Sequence, residues 1–283
     1  MAGRIAVIAG ATRGIGFALT RALARGWDAG DRIYLTARRP ADGAAAVARL
    51  ADDGLAVGWL PFDLADRASP AALATTIAER HGGIDVALLN GAYMPRAGVP
   101  AADDARPMIE ANNHGSLRFL RAMAPILNDD ARLVVVASGF GTLKSLPATL
   151  WPRFDTMRGP DAVAAAMDGY VAAAEAGTAA AEGWPDWVNI PSKVGQVAVT
   201  RAFARDYERD PTRRAGVLID AACPGLTLTD ATRHLMDGVF KGRTAQTPDE
   251  AARDLLWLIT LPPGTASPYG ELVQHRRVLP FGD

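Results

Sequence analysis

A glycine-rich turn separates the first apolar run of the chain from its first amphipathic stretch. The apolar run covers residues 5–9, and Gly10, Gly14 and Gly16 follow it directly. Because glycine has no Cβ, the backbone can turn sharply here and lie against a bound group, while the first turn of the next helix offers free N–H groups. A strand, a glycine turn and a helix in this order predict a βαβ unit whose turn binds phosphate.

Short apolar runs alternate with longer amphipathic stretches along the chain. The runs are continuous rather than alternating, which is typical of strands buried on both faces of a parallel sheet. The expected strands are 5–9, 32–37, 56–61, 86–89, 133–137, 217–221 and a short one at 271–273. The expected helices are 15–25, 43–51, 70–81, 103–127, 193–208 and 248–261. This order predicts an α/β fold, a doubly wound parallel (Rossmann) sheet with helices on both faces.

One segment, residues 143–187, interrupts this alternation. The chain of 283 residues otherwise fits a single domain, residues 1–283, with a helical insert. Residues 161–182 predict an Ala-rich helix and residues 150–157 a shorter one. Long connections inside a compact domain are usually functional lids, so we expect a lid, with a surface embellishment as the alternative. The insert carries the aromatic residues Trp151, Phe154, Trp184 and Trp187. They could cover a flat ligand or pack the insert onto the core.

Charge and cysteine content limit the partners of the chain. The formal net charge is −1 at pH 7, so we expect neither nucleic acid nor an anionic membrane as a partner. Cys223 is the only cysteine, which excludes an internal disulfide and fits a reducing cytoplasm. The glycine turn interrupts the first apolar run, so we expect no secretory signal. The four histidines are scattered, and we expect no metal site.

The second strand indicates which dinucleotide the glycine turn would bind. Enzymes that use NAD place an acidic residue at the end of this strand to bind the ribose 2′-hydroxyl. Here Arg38 and Arg39 stand there, and the first acidic residue is Asp42. An Arg38 guanidinium can bind a 2′-phosphate, with Arg13 beside it in the turn. We therefore expect NADPH, with NADH as the alternative. The residues of the turn expected to contact it are Gly10, Thr12, Arg13, Gly14, Ile15 and Gly16.

Motifs along nearly the whole chain resemble those of the short-chain dehydrogenase/reductase superfamily. Besides the glycine turn they include Asp63-Leu64 as the adenine-binding pair, Asn90-Gly91 as a degenerate fourth-strand motif, Asn112, Ser138, Lys193, and Pro224-Gly225 with Thr229. The resemblance implies that Ser138 and Lys193 are catalytic, that Asn112 holds a structural water, and that Pro224, Gly225 and Thr229 contact the nicotinamide. Within the superfamily, Glu182-Gly183-Trp184-Pro185 resembles the end of the insert in monomeric carbonyl reductases. In that subgroup the insert covers a dimerisation face, which implies a monomer.

One position departs from the family pattern. The proton-donating tyrosine of the family stands four residues before the lysine, and here that position is Asn189. A carboxamide can donate a hydrogen bond, but it has no proton to give at neutral pH. Asn189 is also a good helix N-cap, with Pro191 in the first helical turn, so we expect it to cap the helix.

The missing acid leaves three routes open. Tyr93 could reach the substrate and supply the proton, or it could simply pack at the pocket wall. Alternatively, the substrate could supply its own proton, as a ketone beside a phenol carries an internal hydrogen bond to the carbonyl oxygen. In the third route the protein has lost redox chemistry and is a silent dinucleotide-binding protein. A non-reducing enzyme that uses NADPH as a scaffold, such as a dehydratase, epimerase or cyclase, is a further alternative.

The second route fits a narrower resemblance. Asn189 and the insert resemble features of the atypical angucyclinone C-7 ketoreductases of simocyclinone-type antibiotic biosynthesis. This implies hydride transfer from NADPH to an aromatic polyketide ketone. Ser138 would hydrogen-bond the carbonyl or the phenol, and Lys193 would bind the nicotinamide ribose. The expected substrate-binding residues are Tyr93, Ser138, Asn189 and Trp187.

Overall fold

The fold is built on one eight-stranded sheet. The computed structural model describes residues 3–96 and 98–282, so the ends of the predicted domain at residues 1, 2 and 283 lie outside the described residues. The strand order is β3-β2-β1-β4-β5-β6-β7-β8. Each pair from β3 to β7 is parallel, and only β8 runs antiparallel to β7. The strands are β1 Ile5–Ala9, β2 Arg32–Ala37, β3 Gly58–Pro61, β4 Ile84–Leu89, β5 Leu127–Val136, β6 Leu218–Cys223, β7 Leu272–Gln274 and β8 Arg277–Leu279.

Helices cover both faces of this sheet. They are α1 Gly14–Gly26, α2 Pro40–Asp52, α3 Ser69–His81, α4 Ala101–Ile109, α5 Gly115–Met123, α6 Pro160–Glu175, α7 Asn189–Arg209, α8 Arg233–Met236 and α9 Pro248–Ile259. One apolar core joins one sheet face to α1, α2 and α9. A larger core joins the other face to α3, α5, α6 and α7. The predicted doubly wound α/β fold is confirmed. None of the helices described is both long and apolar enough to cross a membrane.

Several expected elements differ in extent from the structure, among them the insert helix expected over 161–182, which is α6 and ends at Glu175. The helix expected over 103–127 is divided: α4 ends at Ile109, a π-helical turn covers Glu110–His114, and α5 ends at Met123. The turn itself is mostly polar, but the apolar residues that flank it, Ile109 and Leu117, are eight residues apart. A continuous α-helix gives the same spacing, so the pattern alone does not reveal the turn. Strand β5 starts at Leu127, ahead of the expected 133, and β8 was not predicted. Both additions lengthen the sheet without changing its order.

The insert lies against the helical layer of the larger core. Its short 3-10 turns, Ala148–Phe154 and Thr156–Arg158, precede α6, which packs on α4 and α7. Phe154 and Trp184 are buried in the core, and the Trp184 ring lies 4.8 Å from that of Tyr170. Trp151 donates its indole N–H to the carbonyl of Leu146. Trp151, Phe154 and Trp184 therefore pack the insert onto the larger core.

Candidate active site

A cleft of about 490 Å³ opens at the carboxyl ends of the central strands. The order of the sheet reverses between β1 and β4, and ligands of doubly wound folds bind in the crevice at such a point. Gly10 follows β1, Asn90 and Gly91 follow β4, Ser138 follows β5, and Pro224 follows β6. All of them line the cleft. The parallel sheet thus brings together motifs that are far apart in the sequence.

The glycine turn is shaped for close approach of a phosphate-bearing group. Gly10 has φ +75°, and a Cβ there would lie 2.5 Å from the Cα of Gly91. The Asn90 side chain donates to the carbonyl of Gly10 over 2.9 Å and fixes the turn. Helix α1 then starts at Gly14 without a side-chain cap and without an acidic residue in its first turn. A helix start of this kind attracts an anion, so the residues present fit a dinucleotide pyrophosphate.

Three arginines surround Asp42 at the end of β2. The Arg39 side chain donates two hydrogen bonds to the Asp42 carboxylate. This hydrogen bonding, with smaller charge effects from Arg38 and Arg13, lowers the pKa of Asp42. Arg38 and Arg13 thus both lie within electrostatic range of Asp42. Arg39 is engaged with Asp42, and Arg13 lies 3.8 Å from the Asp230 carboxylate, which leaves Arg38 as the main expected partner of a 2′-phosphate. Contact of Arg13 with that phosphate stays a prediction.

The expected cofactor residues divide between the cleft and its outer end. Those that line the cleft are Gly10, Arg13, Gly14, Ile15, Asn90, Gly91, Lys193, Pro224, Gly225 and Thr229. Thr12, Gly16, Arg38, Asp63 and Leu64 are not among the lining residues that the structure describes. Asp63 accepts the N–H of Ala65 with one carboxylate oxygen. Their contacts with the adenosine end of a dinucleotide stay predictions.

Ser138, Asn189 and Lys193 line the inner part of the same cleft. The Ser138 oxygen accepts the N–H of Phe140 over 3.2 Å, which leaves the hydroxyl proton available to a ligand. Burial lowers the pKa of Lys193 from 10.5 to about 8, with a small opposing effect of Cys223. The Lys193 ammonium therefore still carries most of its charge at neutral pH.

Asn189 does not cap α7, which corrects the expectation from sequence. The helix begins at Asn189, and its side chain accepts no N–H of the first turn. Instead, the N–H of Ile190 bonds to the carbonyl of Trp187 and that of Ser192 to the carbonyl of Val188. The preceding backbone thus satisfies these donors. The side-chain oxygen of Asn189 is buried and has no hydrogen-bond partner within residues 3–96 and 98–282.

Tyr93 is engaged away from the cleft, so the structure does not support it as proton donor or substrate ligand. Its hydroxyl donates to the buried carboxylate of Asp104 over 2.8 Å, and Arg96 bonds to the same carboxylate. Burial, and then Asp104, raise the pKa of the Tyr93 phenol. The neighbouring residues Ala92 and Met94 line the cleft in its place.

Asn112 links the β4–α4 loop to α7. Its carboxamide exchanges two hydrogen bonds with the backbone of Tyr93 and donates a third to the hydroxyl of Ser192. Asn112 is completely buried and lies in the π-helical turn. Its side chain therefore orders the wall of the site.

Residues 226–243 cover the outer side of the cleft. This covering segment contributes Thr229, Asp230, Leu235, Phe240 and Arg243 to the lining, whereas the insert contributes Trp187. The lid role expected for residues 143–187 therefore stays a prediction that rests on Trp187. Within the covering segment the sequence pointed only to Thr229, because the segment has no periodic pattern.

An aromatic cluster of Phe140, Trp187 and Phe240 closes one side of the cleft. Phe140 and Trp187 meet edge to face at 5.4 Å, and Phe140 stacks on Phe240 at 6.2 Å. The three residues come from the 3-10 turn Gly139–Gly141 after β5, the end of the insert and the covering segment. The sequence predicted Trp187 but missed the two phenylalanines. The position of Phe140, two residues after Ser138, was a usable signal.

The structure shows no group of three His, Cys, Asp or Glu in the described part of the chain that could hold a metal ion. Cys223 is buried and free, and burial raises the pKa of its thiol. The polar side chains of the cleft are hydroxyls, carboxamides, guanidinium groups, the Lys193 ammonium and the Asp230 carboxylate.

Known proteins resemble this chain over nearly its whole length. Carbonyl reductase (NADPH) 3 of Rattus norvegicus is 33% identical over 97% of each chain. Carbonyl reductase (NADPH) 1 of the same species is 30% identical over 98% of each chain. The structure of salutaridine reductase from Papaver somniferum matches with a TM-score of 0.79 at 21% identity, covering 95% of this chain and 99% of that one. That last match shows the fold.

A family model for short chain dehydrogenases matches residues 4–149, which include β1 to β5, the glycine turn and Ser138. The sheet order, the turn and the cleft agree with this match, and the two rat relatives extend it to the rest of the chain. The chain belongs to the short-chain dehydrogenase family.

Proposed function

We propose that this protein is an NADPH-dependent ketoreductase that reduces a ketone on a peri-hydroxylated aromatic polyketide, of the angucyclinone kind. The observation that carries the proposal is the cleft in which Ser138 and Lys193 are present but Asn189 occupies the place of the acid. The names of the rat carbonyl reductases support NADPH as the cofactor and a carbonyl as the reacting group.

The residues of the cleft have separable roles. When bound, NADPH supplies the hydride. The free hydroxyl proton of Ser138 hydrogen-bonds the carbonyl oxygen, where negative charge develops. Lys193 binds the nicotinamide ribose and keeps the site positive. The carboxamide of Asn189 offers a hydrogen bond to the same oxygen or to the neighbouring phenol without giving up a proton.

The substrate supplies the proton in this proposal. As hydride adds to the carbonyl carbon, the C=O π electron pair moves to the oxygen, which takes the proton of the peri-phenol. The phenolate that remains is then protonated by water. A general acid typically contributes about 10²–10⁴-fold to a rate, and the internal proton replaces this contribution.

The shape of the site supports a large flat substrate. The aromatic cluster provides ring faces and edges beside the catalytic residues, and aromatic rings favour stacked or edge-to-face contacts. A second cavity of about 310 Å³ shares Trp187 and Leu235 with the cleft. It is lined in part by Arg96, Asp186 and His234, so it suits a polar substituent on the ring system.

Incubation with NADPH deuterated at the transferred position tests the proposal. We expect deuterium on the carbinol carbon of the product from a peri-hydroxylated aromatic ketone. A product that forms without deuterium would instead support dehydration, epimerisation or cyclisation. Tight NADPH binding without turnover of any such ketone would favour a silent dinucleotide-binding protein.

We also propose an oligomeric state and a cellular location for the protein. The insert packs along α4 and α7, and we propose a monomer that acts in the cytoplasm on a small aromatic ketone, without nucleic acid or membrane partners. Sedimentation of the purified protein tests the monomer, and a dimer at micromolar concentration would contradict it.

A further inference from the structure

Lys193 bonds to a side chain on its own helix. Its ammonium donates to the Oε1 atom of Gln196 over 2.9 Å. Gln196 stands three residues later on α7 and is completely buried. Side chains at this spacing lie on the same face of a helix, so the contact follows from the sequence once the helix forms.

The direction of each hydrogen bond around Gln196 is fixed by chemistry. An ammonium only donates, so it must meet the amide oxygen, and the amide nitrogen must point the other way. That nitrogen donates to the Ser116 hydroxyl over 3.1 Å, and Ser116 donates to the carbonyl of Asn112 over 2.5 Å. Ser116 and Asn112 are completely buried as well. The result is a one-way chain from Lys193 to a backbone carbonyl.

The far end of this chain lies in the π-helical turn Glu110–His114. Widened turns of this kind often occur at functional sites. Here the turn presents the carbonyl of Asn112 to Ser116, while the Asn112 side chain bonds to Ser192 on α7. The π-helical turn is therefore joined to α7 twice, by the Asn112 carbonyl through Ser116 and Gln196, and by the Asn112 side chain through Ser192.

We propose that Gln196 is the positioning residue of Lys193, and that Ser116 and the Asn112 carbonyl hold Gln196 in place. This inference rests on the proposed function, in which the Lys193 ammonium binds the nicotinamide ribose. Where the family has a tyrosine phenol, this chain has Asn189, and Gln196 gives the ammonium a neutral acceptor within the protein.

The chain also holds the Lys193 ammonium without relaying its proton. Neither a carboxamide nor a backbone carbonyl titrates near neutral pH, so no proton moves from Lys193 to Asn112 along this path. Around Lys193, Ser138 from the turn after β5 and Cys223 at the end of β6 line the same cleft. The thiol of Cys223 opposes the effect of burial on the pKa of Lys193. Burial lowers that pKa to about 8, and the Gln196 oxygen opposes further loss of the charge.

The pKa of Lys193 can be measured directly, because the chain has only three lysines, Lys144, Lys193 and Lys241. Protein labelled with ¹³C and ¹⁵N at lysine gives three side-chain signals, and the Lys193→Met variant assigns one of them. In the Gln196→Leu variant we expect the pKa of Lys193 to fall by about one pH unit, as a charge-assisted hydrogen bond is lost. In Gln196→Glu we expect it to rise by at least about one pH unit, through the opposite charge.

Thr200→Val is the matched control. Thr200 is a completely buried residue one turn further along α7, and its hydroxyl bonds to the backbone carbonyl of Gln196. This variant perturbs the same helix without touching the ammonium, so the Lys193 signal should titrate as in the wild type. If Gln196→Leu does not fold, Ser116→Ala removes the support of Gln196 and should lower the pKa of Lys193 by a smaller amount.

Opposite shifts in the two Gln196 variants support the proposal, whereas unchanged titration in both overturns it. The alkaline limb of the pH profile of kcat/KM should move in the same direction as the NMR titration. If the shifts occur but no ketone is reduced, the proposed function fails and Gln196 still positions Lys193. If ketones are reduced but the Lys193 pKa is unchanged in both Gln196 variants, the positioning role of Gln196 fails and the proposed function stands.

Discussion

Asn189 and Lys193 lie one turn apart on α7, and both side chains reach the wall of one cleft. The Lys193 ammonium is bound to Gln196, while the buried oxygen of Asn189 has no hydrogen-bond partner in the described parts of the chain. The pair therefore offers one positive charge and one free carboxamide. In the proposed mechanism the substrate supplies the proton of the product.

Asn189→Ala should reduce kcat by less than about tenfold, because removal of a true general acid costs about 10²–10⁴-fold. Ser138→Ala, which removes the expected donor to the developing charge, should cost about 10²–10³-fold. Steady-state kinetics with a peri-hydroxylated ketone measure both. A loss in Asn189→Ala as large as that in Ser138→Ala would show that Asn189 has an essential chemical role.

Arg38→Ala should weaken the binding of NADPH much more than the binding of NADH. A hydrogen-bonded charge pair with a 2′-phosphate contributes about 1.5–3 kcal/mol, so the KM for NADPH should rise by about 10–100-fold. The KM for NADH should change little. Arg39→Ala is the matched control, since Arg39 is engaged with Asp42. Equal effects on both cofactors, or a larger effect of Arg39, would assign the 2′-phosphate site elsewhere.

Phe240→Ala should raise the KM for a polycyclic aromatic ketone by roughly three- to tenfold, since aromatic pairs contribute about 0.5–1.5 kcal/mol beyond simple burial. The reason is that Phe240 stacks on Phe140 at the wall of the cleft. A small acyclic ketone serves as the internal control and should keep its KM. A uniform increase for both substrates would mean that Phe240 only maintains the fold of the covering segment.

Asp220→Asn should change how stability depends on pH. Burial raises the pKa of Asp220 from 3.8 to about 7, so the folded protein keeps this proton where the unfolded chain has lost it. The wild type should therefore lose stability as the pH rises from about 4 to about 7, by roughly 4 kcal/mol at most. Asparagine retains the oxygen that accepts the N–H of Glu271 and cannot ionise.

Urea denaturation at pH 5 and pH 8 checks this prediction. The difference in free energy of unfolding, Asp220→Asn minus wild type, should be more positive at pH 8 than at pH 5. Parallel pH dependence of the two proteins would show that Asp220 does not titrate in this window.

The sequence predicted the sheet well because each parallel strand is a continuous apolar run. The bounds of β1 and β2 agree with the prediction residue by residue. The division of helix 103–127 could not be seen, because the flanking apolar residues Ile109 and Leu117 keep a spacing that a continuous α-helix also gives. Strand β8 is short and partly exposed, so no pattern marked it.

Parts of the site were predictable and parts were not. The family resemblance pointed to Ser138 and Lys193, and both line the cleft, whereas their catalytic roles stay predictions. The orientation of the Tyr93 side chain was not predictable. Its hydroxyl bonds from the loop after β4 to Asp104 on α4, and sequence spacing does not show such a contact. Gln196 carries a local signal, three residues after Lys193 on one helix face, and that signal was missed.

The origin of the proton is the central question, and the substrate can be changed to answer it. Rates of reduction should be compared for a peri-hydroxylated aromatic ketone and its O-methyl ether, with NADPH deuterated at the transferred position. The account predicts that the phenol is reduced to a deuterated alcohol and that the ether is reduced at least about 10²-fold more slowly, the smallest usual contribution of a general acid. Comparable rates for the two ketones would contradict it.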